Sequence, residues 1–320
     1  MPLVEIADLH VSFAQTDGLV QAVRGISLSV DSGESVGIVG ESGSGKSVTC
    51  MAALRLLREP PARIKAAKLA LDGADMLRAE KRQLAQMRGS VAAMIFQDPM
   101  TAFDPVFTIG HQIIETIQAH RNVSKSAAKE EATLLLARVE IRNPDAVMTS
   151  YPHQLSGGML QRAMIAMALS CRPKMLFADE PTTALDVTVQ AQILQLIKAL
   201  QNEFGMGLIM VTHDLGVIAE TVDRVIVMYG GRVMEEGPVQ AIFDAPAHPY
   251  TRALLNSMPG QTAGQHRLIE IKGASPNPSD PPKGCPFHPR CERVQPICAQ
   301  SDPPFVALGH NHRAACWVLQ

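Results

Sequence analysis

An α/β fold, carrying an inserted helical segment and a loop-rich C-terminal addition, is what this chain predicts, and three observations carry that reading. The short apolar run "SVGIVG" meets the glycine-rich turn "ESGSGKS", after which the pattern turns helical, giving strand, turn and helix. Two further apolar runs, "KMLFADE" and "GLIMVTH", flank a helical stretch and continue the alternation. Between about 108 and 168 the chain is mainly helical and interrupts that alternation.

In chain order, Leu9, Val11 and Phe13, then Ile26, Leu28 and Val30, alternate at period two around Asp17-Gly18, which predicts a small antiparallel sheet at the N-terminus. "SVGIVG" is apolar enough to be buried on both faces. From Gly45 onward, Val48, Met51 and Ala52 share one side of a helix. The helical insert, about 98–168 with the stretch leading into it, has polar turns near Asn122 and Pro144. After "KMLFADE", a helix carries Val189, Ile193, Ile197, Leu200 and Phe204 on one face, and Gly230-Gly231 later turns "RVIVMY" into "RVMEE" as a hairpin. Prolines at 238, 246, 249, 259, 276, 278, 281 and 282 then predict an extension with little regular structure. The expected division is 1–237 and 238–320.

With 320 residues, 46% of them hydrophobic and 19% charged, and a formal net charge of −2, the composition is that of an ordinary globular protein. It gives no electrostatic bias toward nucleic acid or anionic lipid. No apolar run approaches the roughly 18 residues that a spanning helix needs, and "MPLVEIADLHVSF" reads as a strand and not as a secretory leader. The expectation is a cytosolic protein that touches a membrane only through a partner. Six cysteines in such a chain do not read as a secreted disulfide framework.

Gly40, Gly45, Lys46 and Ser47 match G-x4-G-K-[ST] with an apolar strand before and a helix after. The glycines let backbone N–H groups turn inward around phosphates, Lys46 supplies a charge at the β and γ positions, and the Ser47 hydroxyl suits magnesium. "MLFADE" ends in two acids. Adjacent side chains at a strand tip point in opposite directions, so Asp179 suits the magnesium shell and Glu180 the orientation or deprotonation of an attacking water. His213, closing "GLIMVTH", suits a γ-phosphate contact.

Together with "LSGGMLQR" at 155–162, these residues resemble the ATP-binding-cassette ATPases. The resemblance covers roughly 4–237 in the family's motif order and implies a P-loop, RecA-like ABC nucleotide-binding domain. That domain has an N-terminal antiparallel β subdomain, an inserted α-helical subdomain and, here, a loop-rich, cysteine-containing C-terminal extension. The family's Walker A falls on Gly40, Glu41, Ser42, Gly43, Ser44, Gly45, Lys46 and Ser47, with Val48 following, and these would cradle ATP. Walker B falls on 175–179, and "TALD" at 183–186 is similar to the D-loop, bringing in Asp186. Gln97 matches the Q-loop and His213 the switch histidine, so Glu180, His213 and Gln97 form the implied catalytic set. Ser47, Gln97 and Asp179 are the implied magnesium set. In the family two cassettes pack head to tail, each signature helix facing the nucleotide of the other. Ser156, Gly157, Gly158 and Gln161 would therefore serve a partner's ATP, as suits a helix N-terminus with small residues. Where peptide importers of this family usually have arginine, the chain has Leu160, while Arg162 remains. Phe13 is the closest match to the adenine-stacking aromatic and reads equally as a core residue of the first sheet.

The stretch "FQDPMTAFDPVFTIG" leads from Gln97 into the insert, which in the family docks on membrane-embedded subunits. Ala102, Phe103, Asp104 and Pro105 stand where many peptide importers carry Ser-Leu-Asn-Pro. "HPYTRALLNSMP" and the cysteine-rich tail resemble the ATPase subunits of bacterial dipeptide and oligopeptide importers. The implied function is ATP hydrolysis powering peptide uptake, with nickel, glutathione or antimicrobial peptide as alternative cargoes. The implied partners are a second ABC ATPase subunit, identical or a paralogue, two transmembrane permease subunits and, indirectly, an extracytoplasmic binding protein. Nucleic acid is not among them, and the implied place is the cytoplasmic side of the bacterial inner membrane.

Cys285, Cys291, Cys298 and Cys316 crowd the tail, where four thiolates would hold one metal centre in place of a core. The importer resemblance implies a [4Fe-4S] cluster. Zinc and unliganded thiols are the alternatives. Cys50 and Cys171 read as small buried residues, and His288, His310 and His312 as surface histidines. Two other functional classes are a soluble cassette acting on nucleic acid or ribosomes, which typically has a coiled-coil insert or a second cassette, and a tail that regulates the cassette as a redox or metal sensor.

Overall fold

The computed structural model describes residues 2–16, 18–183, 185–257, 271–309 and 311–320. Asp17 of the expected turn, Ala184 within "TALD", Met258 and Pro259 at the end of "HPYTRALLNSMP", and His310 lie outside the described residues. The chain packs as two units, one made of Pro2–Val30, Ser35–Leu77 and Met210–Gln320, the other of Asp31–Glu34 and Arg78–Ile209.

In the first unit, Val4–Gln15 and Gly18–Val30 pair antiparallel, with Leu9 opposite Ile26 and Phe13 opposite Val20. Period-two alternation buries Leu9, Val11, Ile26 and Val30 on one face. Ala62–Lys65 and Lys68–Leu71 both pair with the first strand. A second sheet is built on Ser35–Val39, buried throughout, which runs parallel to Arg224–Tyr229. That strand turns through Gly230-Gly231 into Arg232–Pro238. The helix Leu215–Thr221, absent from the sequence reading, has seven residues, too few to register a helical period.

The extension is more ordered than its prolines suggest. His312–Ala315 pairs with Arg232–Pro238, and Phe305–Gly309 pairs with His312–Ala315. Val239–Asp244 and Pro249–Asn256 are helices, the latter with Pro249 in its first turn, where a missing N–H does no harm. The fastening is polar. Glu235, fully buried, accepts the N–H groups of Ala247 and His248, each at 2.8 Å, and pairs with His312 Nε2 at 2.7 Å. His312 is therefore a buried partner and not a surface histidine, because a carboxylate in this position needs donors on all sides. His248 caps the second helix by accepting the Tyr250 N–H on Nδ1 at 3.0 Å, and burial drives its pKa down to about 3, keeping it neutral.

In the second unit, Ala92–Ile95 and Met175–Asp179 pair parallel and are buried throughout. The insert is helical as expected, in segments Ile109–His120, Lys125–Arg138, Pro144–Thr149 and Gly157–Leu169. Thr108, Ser124, Asn143 and Ser156 cap them in turn, each side chain accepting a first-turn N–H. Val187–Phe204 follows, capped by Asp186 and ended by Gly205 at φ 62°. The strand Gly207–Thr212 spans the division between the units and is buried along its length. Among the described residues no helix is long and apolar enough to cross a membrane. Cys50 is buried as expected, whereas Cys171 is half-buried with its thiol 3.6 Å from the Thr116 carbonyl.

Candidate active site

The first constellation lies in the unit built on Ser35–Val39. Gly40 turns at φ 152°, where a Cβ would sit 2.1 Å from the Met228 carbonyl oxygen. Gly45 sits at φ 99°, where a Cβ would meet the Ala22 carbonyl oxygen at 2.4 Å, so the turn admits only glycine at both ends. The helix Lys46–Ala53 starts at Gly45, which brings no side chain to its N-terminus. Lys46 is buried and donates from Nζ to the carbonyls of Gly40, at 2.8 Å, and Glu41, at 3.0 Å. Ser42 and Gly43 are exposed, Ser44 is buried, and Glu41, Ser47 and Val48 are half-buried. Phe13 is half-buried between Val20 and Ala62 on its neighbouring strands. His213 is exposed, next to Asp214, which caps Leu215–Thr221.

The second constellation lies in the other unit. Asp179 is buried at the end of its strand. Glu180 follows at φ 44°, a left-handed conformation that a glutamate keeps only where its surroundings hold it. Two donors do so: Gln97 Nε2 and Thr183 Oγ1 both reach Oε2 at 3.0 Å. The structure thus brings Gln97 to Glu180 and adds Thr183, which the sequence offered only as part of "TALD". Asp186 accepts the Val189 N–H at 3.0 Å, and Gln190 ties the Thr182 and Leu185 carbonyls at 3.2 and 3.1 Å, so this segment is anchored at both ends.

In the same unit Ser156 and Gly157 are exposed and Gly158 half-buried at the start of Gly157–Leu169, and Ser156 also caps it. Gln161 departs from expectation. It is 2% exposed with Nε2 unpartnered, on the same face as buried Ile165, and so is turned into its own chain. Met159 is the exposed side chain on that turn. Arg162 also points inward, its Nη1 donating to the Val139 carbonyl and Glu140 Oε2, each at 2.8 Å, and its Nη2 to Gln192 at 3.2 Å. Leu160 is buried. In the stretch after Gln97, Phe103 is buried, while Met100, Val106 and Phe107 are 47%, 69% and 45% exposed.

In the tail, all four cysteines are free and three are buried. Burial pushes the Cys285 thiol up to about 12 and raises Cys291 and Cys316 as well, with neighbouring thiols adding to each shift. The four therefore stand within electrostatic reach of one another. Among the described residues, no group of three or more His, Cys, Asp or Glu is placed to hold a metal ion. His288 is half-buried against the Cys285 carbonyl at 2.9 Å.

A glycine-gated phosphate loop, with a strand ending in a held acid pair, defines a phosphate-loop nucleoside triphosphatase. Residues 23–183 match the ABC transporter family and 234–298 the C-terminal region of oligopeptide/dipeptide transporters. The chain belongs to the ABC transporter ATPases that carry this oligopeptide/dipeptide transporter C-terminal region. It is 48% identical over 316 residues to the probable peptide ABC transporter ATP-binding protein y4tR of Sinorhizobium fredii, covering 98% of this chain and 94% of that protein. It is 46% identical to the dipeptide transport ATP-binding protein DppD of Escherichia coli, covering 99% and 96%, and 45% identical to the oligopeptide transport ATP-binding protein OppD of Bacillus subtilis, covering 99% and 89%. Among solved structures it is similar to the ATP-binding cassette MJ0796, dimeric and bound to ADP and phosphate, at 27% identity and a TM-score of 0.65, covering 74% of this chain and 98% of that one.

Proposed function

We propose that this chain hydrolyses ATP to power uptake of di- or oligopeptides through a membrane permease, with ATP held between two cassettes. The observation that carries the reading is the union, in one chain, of a cassette with the oligopeptide/dipeptide transporter C-terminal region, over which the peptide-transport relatives align almost end to end. In this reading 1–237 is the cassette, 98–168 its helical subdomain and 238–320 the importer-type extension. Residues 40–48 hold the phosphates, Phe13 stacks on adenine, and Lys46 carries charge to the β and γ positions. Glu180, held by Gln97 and Thr183, orients and deprotonates the attacking water, and His213 contacts the γ-phosphate. Asp186 belongs to the segment that meets the partner cassette. The hydroxyl of Ser47, the amide oxygen of Gln97 and the carboxylate of Asp179 would be the oxygen donors to magnesium, which when bound would neutralise charge on the transferring phosphoryl group.

Ser156, Gly157 and Gly158 face the nucleotide of a partner cassette, identical or paralogous. Exposed Met100, Val106 and Phe107 meet the permease subunits, which place the chain at the cytoplasmic face of the membrane. By resemblance to the importer subunits, Cys285, Cys291, Cys298 and Cys316 would be the ligands of a [4Fe-4S] centre, with zinc or unliganded thiols as the alternatives. Iron analysis and absorption spectra of anaerobically purified protein test this, and metal-free protein with an ordered tail contradicts it. The test of function is the chain assembled with its permease and binding protein in proteoliposomes. ATP-dependent uptake of labelled peptide, lost with Glu180→Gln, is the expected result. ATP hydrolysis with uptake of nickel or glutathione but no peptide overturns the assignment.

A further inference from the structure

The phosphate loop is gripped by the C-terminal extension at one residue, Glu41. Arg290, whose side chain is 6% exposed, donates from Nη1 to both carboxylate oxygens of Glu41, at 3.1 and 2.8 Å, and Ser275 Oγ donates to Oε2. The Glu41 N–H donates to Tyr250 Oη at 2.9 Å. The Glu41 carbonyl accepts Lys46 Nζ at 3.0 Å, so only one residue separates the extension from the phosphate-binding lysine.

The grip is itself rigid. Arg290 donates from Nε to the Lys272 carbonyl at 2.9 Å, from Nη2 to the Ile271 carbonyl at 2.8 Å, and from Nη1 to Tyr229 Oη at 2.9 Å. Tyr229 and Tyr250 pack with ring centroids 4.5 Å apart, and each lies 5.3 Å from Phe287. A planar fork satisfied on several sides is a preorganised anchor, and losing it returns conformational freedom to what it holds. Satisfying a carboxylate, an N–H and a carbonyl at this one position fixes the direction in which the following N–H groups point.

We propose that Arg290 and Tyr250 are positioning residues for nucleotide binding, acting through Glu41 to hold the phosphate loop in its binding shape. The inference rests on residues 40–48 being the phosphate cradle, and Lys46→Ala tests that point separately. If Lys46→Ala binds Mg·ATP as tightly as the unmodified chain, the cradle assignment fails, whatever the clamp variants do.

Equilibrium binding of Mg·ATP and steady-state hydrolysis on the full-length chain test the clamp. Arg290→Ala and Glu41→Gln should each weaken binding about tenfold, equivalent to ~1.4 kcal/mol, with KM rising in step and kcat within about twofold. The double variant should bind no worse than the weaker single one, since both cut the same link. Arg290→Lys, which keeps the charge and loses the fork, should recover part of the affinity. Should Arg290→Ala fail to fold, Glu41→Gln and Tyr250→Phe decide, the latter removing only the oxygen that accepts the Glu41 N–H. Binding within twofold of the unmodified chain in the folded single variants overturns the proposal, as do losses that multiply in the double variant or a fall in kcat at unchanged KM.

Discussion

The strand Ser35–Val39 and the C-terminal extension share a unit but are held in different ways. The strand is buried on every residue and paired through backbone groups, with Ser35 bonded to Asp223 at its start, so its fastening is spread over many contacts. The extension is tied by a few buried polar links: Glu235 to His312 and to two N–H groups, His248 to Tyr250, Arg290 to Glu41. Spread contacts fail gradually, whereas a buried polar link fails at once, because the partner left behind has lost both water and its mate. The extension is therefore where single substitutions should act most sharply on stability, while the cassette's sharpest effects should be on chemistry.

The largest effect belongs to chemistry. Glu180→Gln should lower steady-state hydrolysis by roughly 10²- to 10⁴-fold, the range for removing a general base, with ATP binding retained. Normal turnover in this variant would remove Glu180 from its role. Next, Glu235→Ala strips a fully buried carboxylate from His312 and two N–H groups and should lower the unfolding free energy by about 3–5 kcal/mol. Chemical denaturation of both proteins measures this, and a loss as small as that of a surface substitution would break the contrast between the two regions.

The same comparison sharpens with pH. His248 is neutral in the fold, its pKa lowered by burial from 6.5 to about 3, so the unfolded chain binds a proton that the folded chain refuses between those values. Its contribution to stability is whole above about 6.5 and is lost as pH falls toward 3, at about 1.4 kcal/mol per unit. Glu235, the acid facing it from Arg232–Pro238, stays within hydrogen-bonding distance of its N–H. His248→Asn keeps an acceptor at the helix start and should flatten the acid limb of a plot of unfolding midpoint against pH. An unchanged limb would assign the acid sensitivity elsewhere. Smallest is Thr183→Val, which removes one of two donors to Glu180 Oε2 and should reduce kcat by about tenfold or less, one hydrogen bond to a charged group.

What the sequence revealed, and what it hid, follows the same line. The placing of Gly40, Gly45 and Lys46 in a turn between strand and helix, and of Asp179-Glu180 at a strand end, was legible because such motifs use fixed residue types at short spacing. The helical insert was legible as a mainly helical stretch broken by polar turns near Asn122 and Pro144. The left-handed Glu180, the burial of Gln161 and Arg162 and the order of the extension were not. Each depends on which face packs inward or on partners far apart in the chain, as with Arg290 and Glu41, 249 residues apart. His312 looked like a surface residue because nothing near it in sequence announces Glu235, 77 residues away.

The division of labour between cassettes is tested most directly by dilution. Measured from micromolar protein downward at saturating Mg·ATP, with a fixed excess of the partner cassette left out, the hydrolysis rate per chain should fall as association is lost, and added partner should restore it. A rate per chain that stays at its full value at every dilution, with the chain shown to be monomeric, would mean that each protomer completes its own site, and the exposed Ser156 and Gly157 would then have no nucleotide to serve.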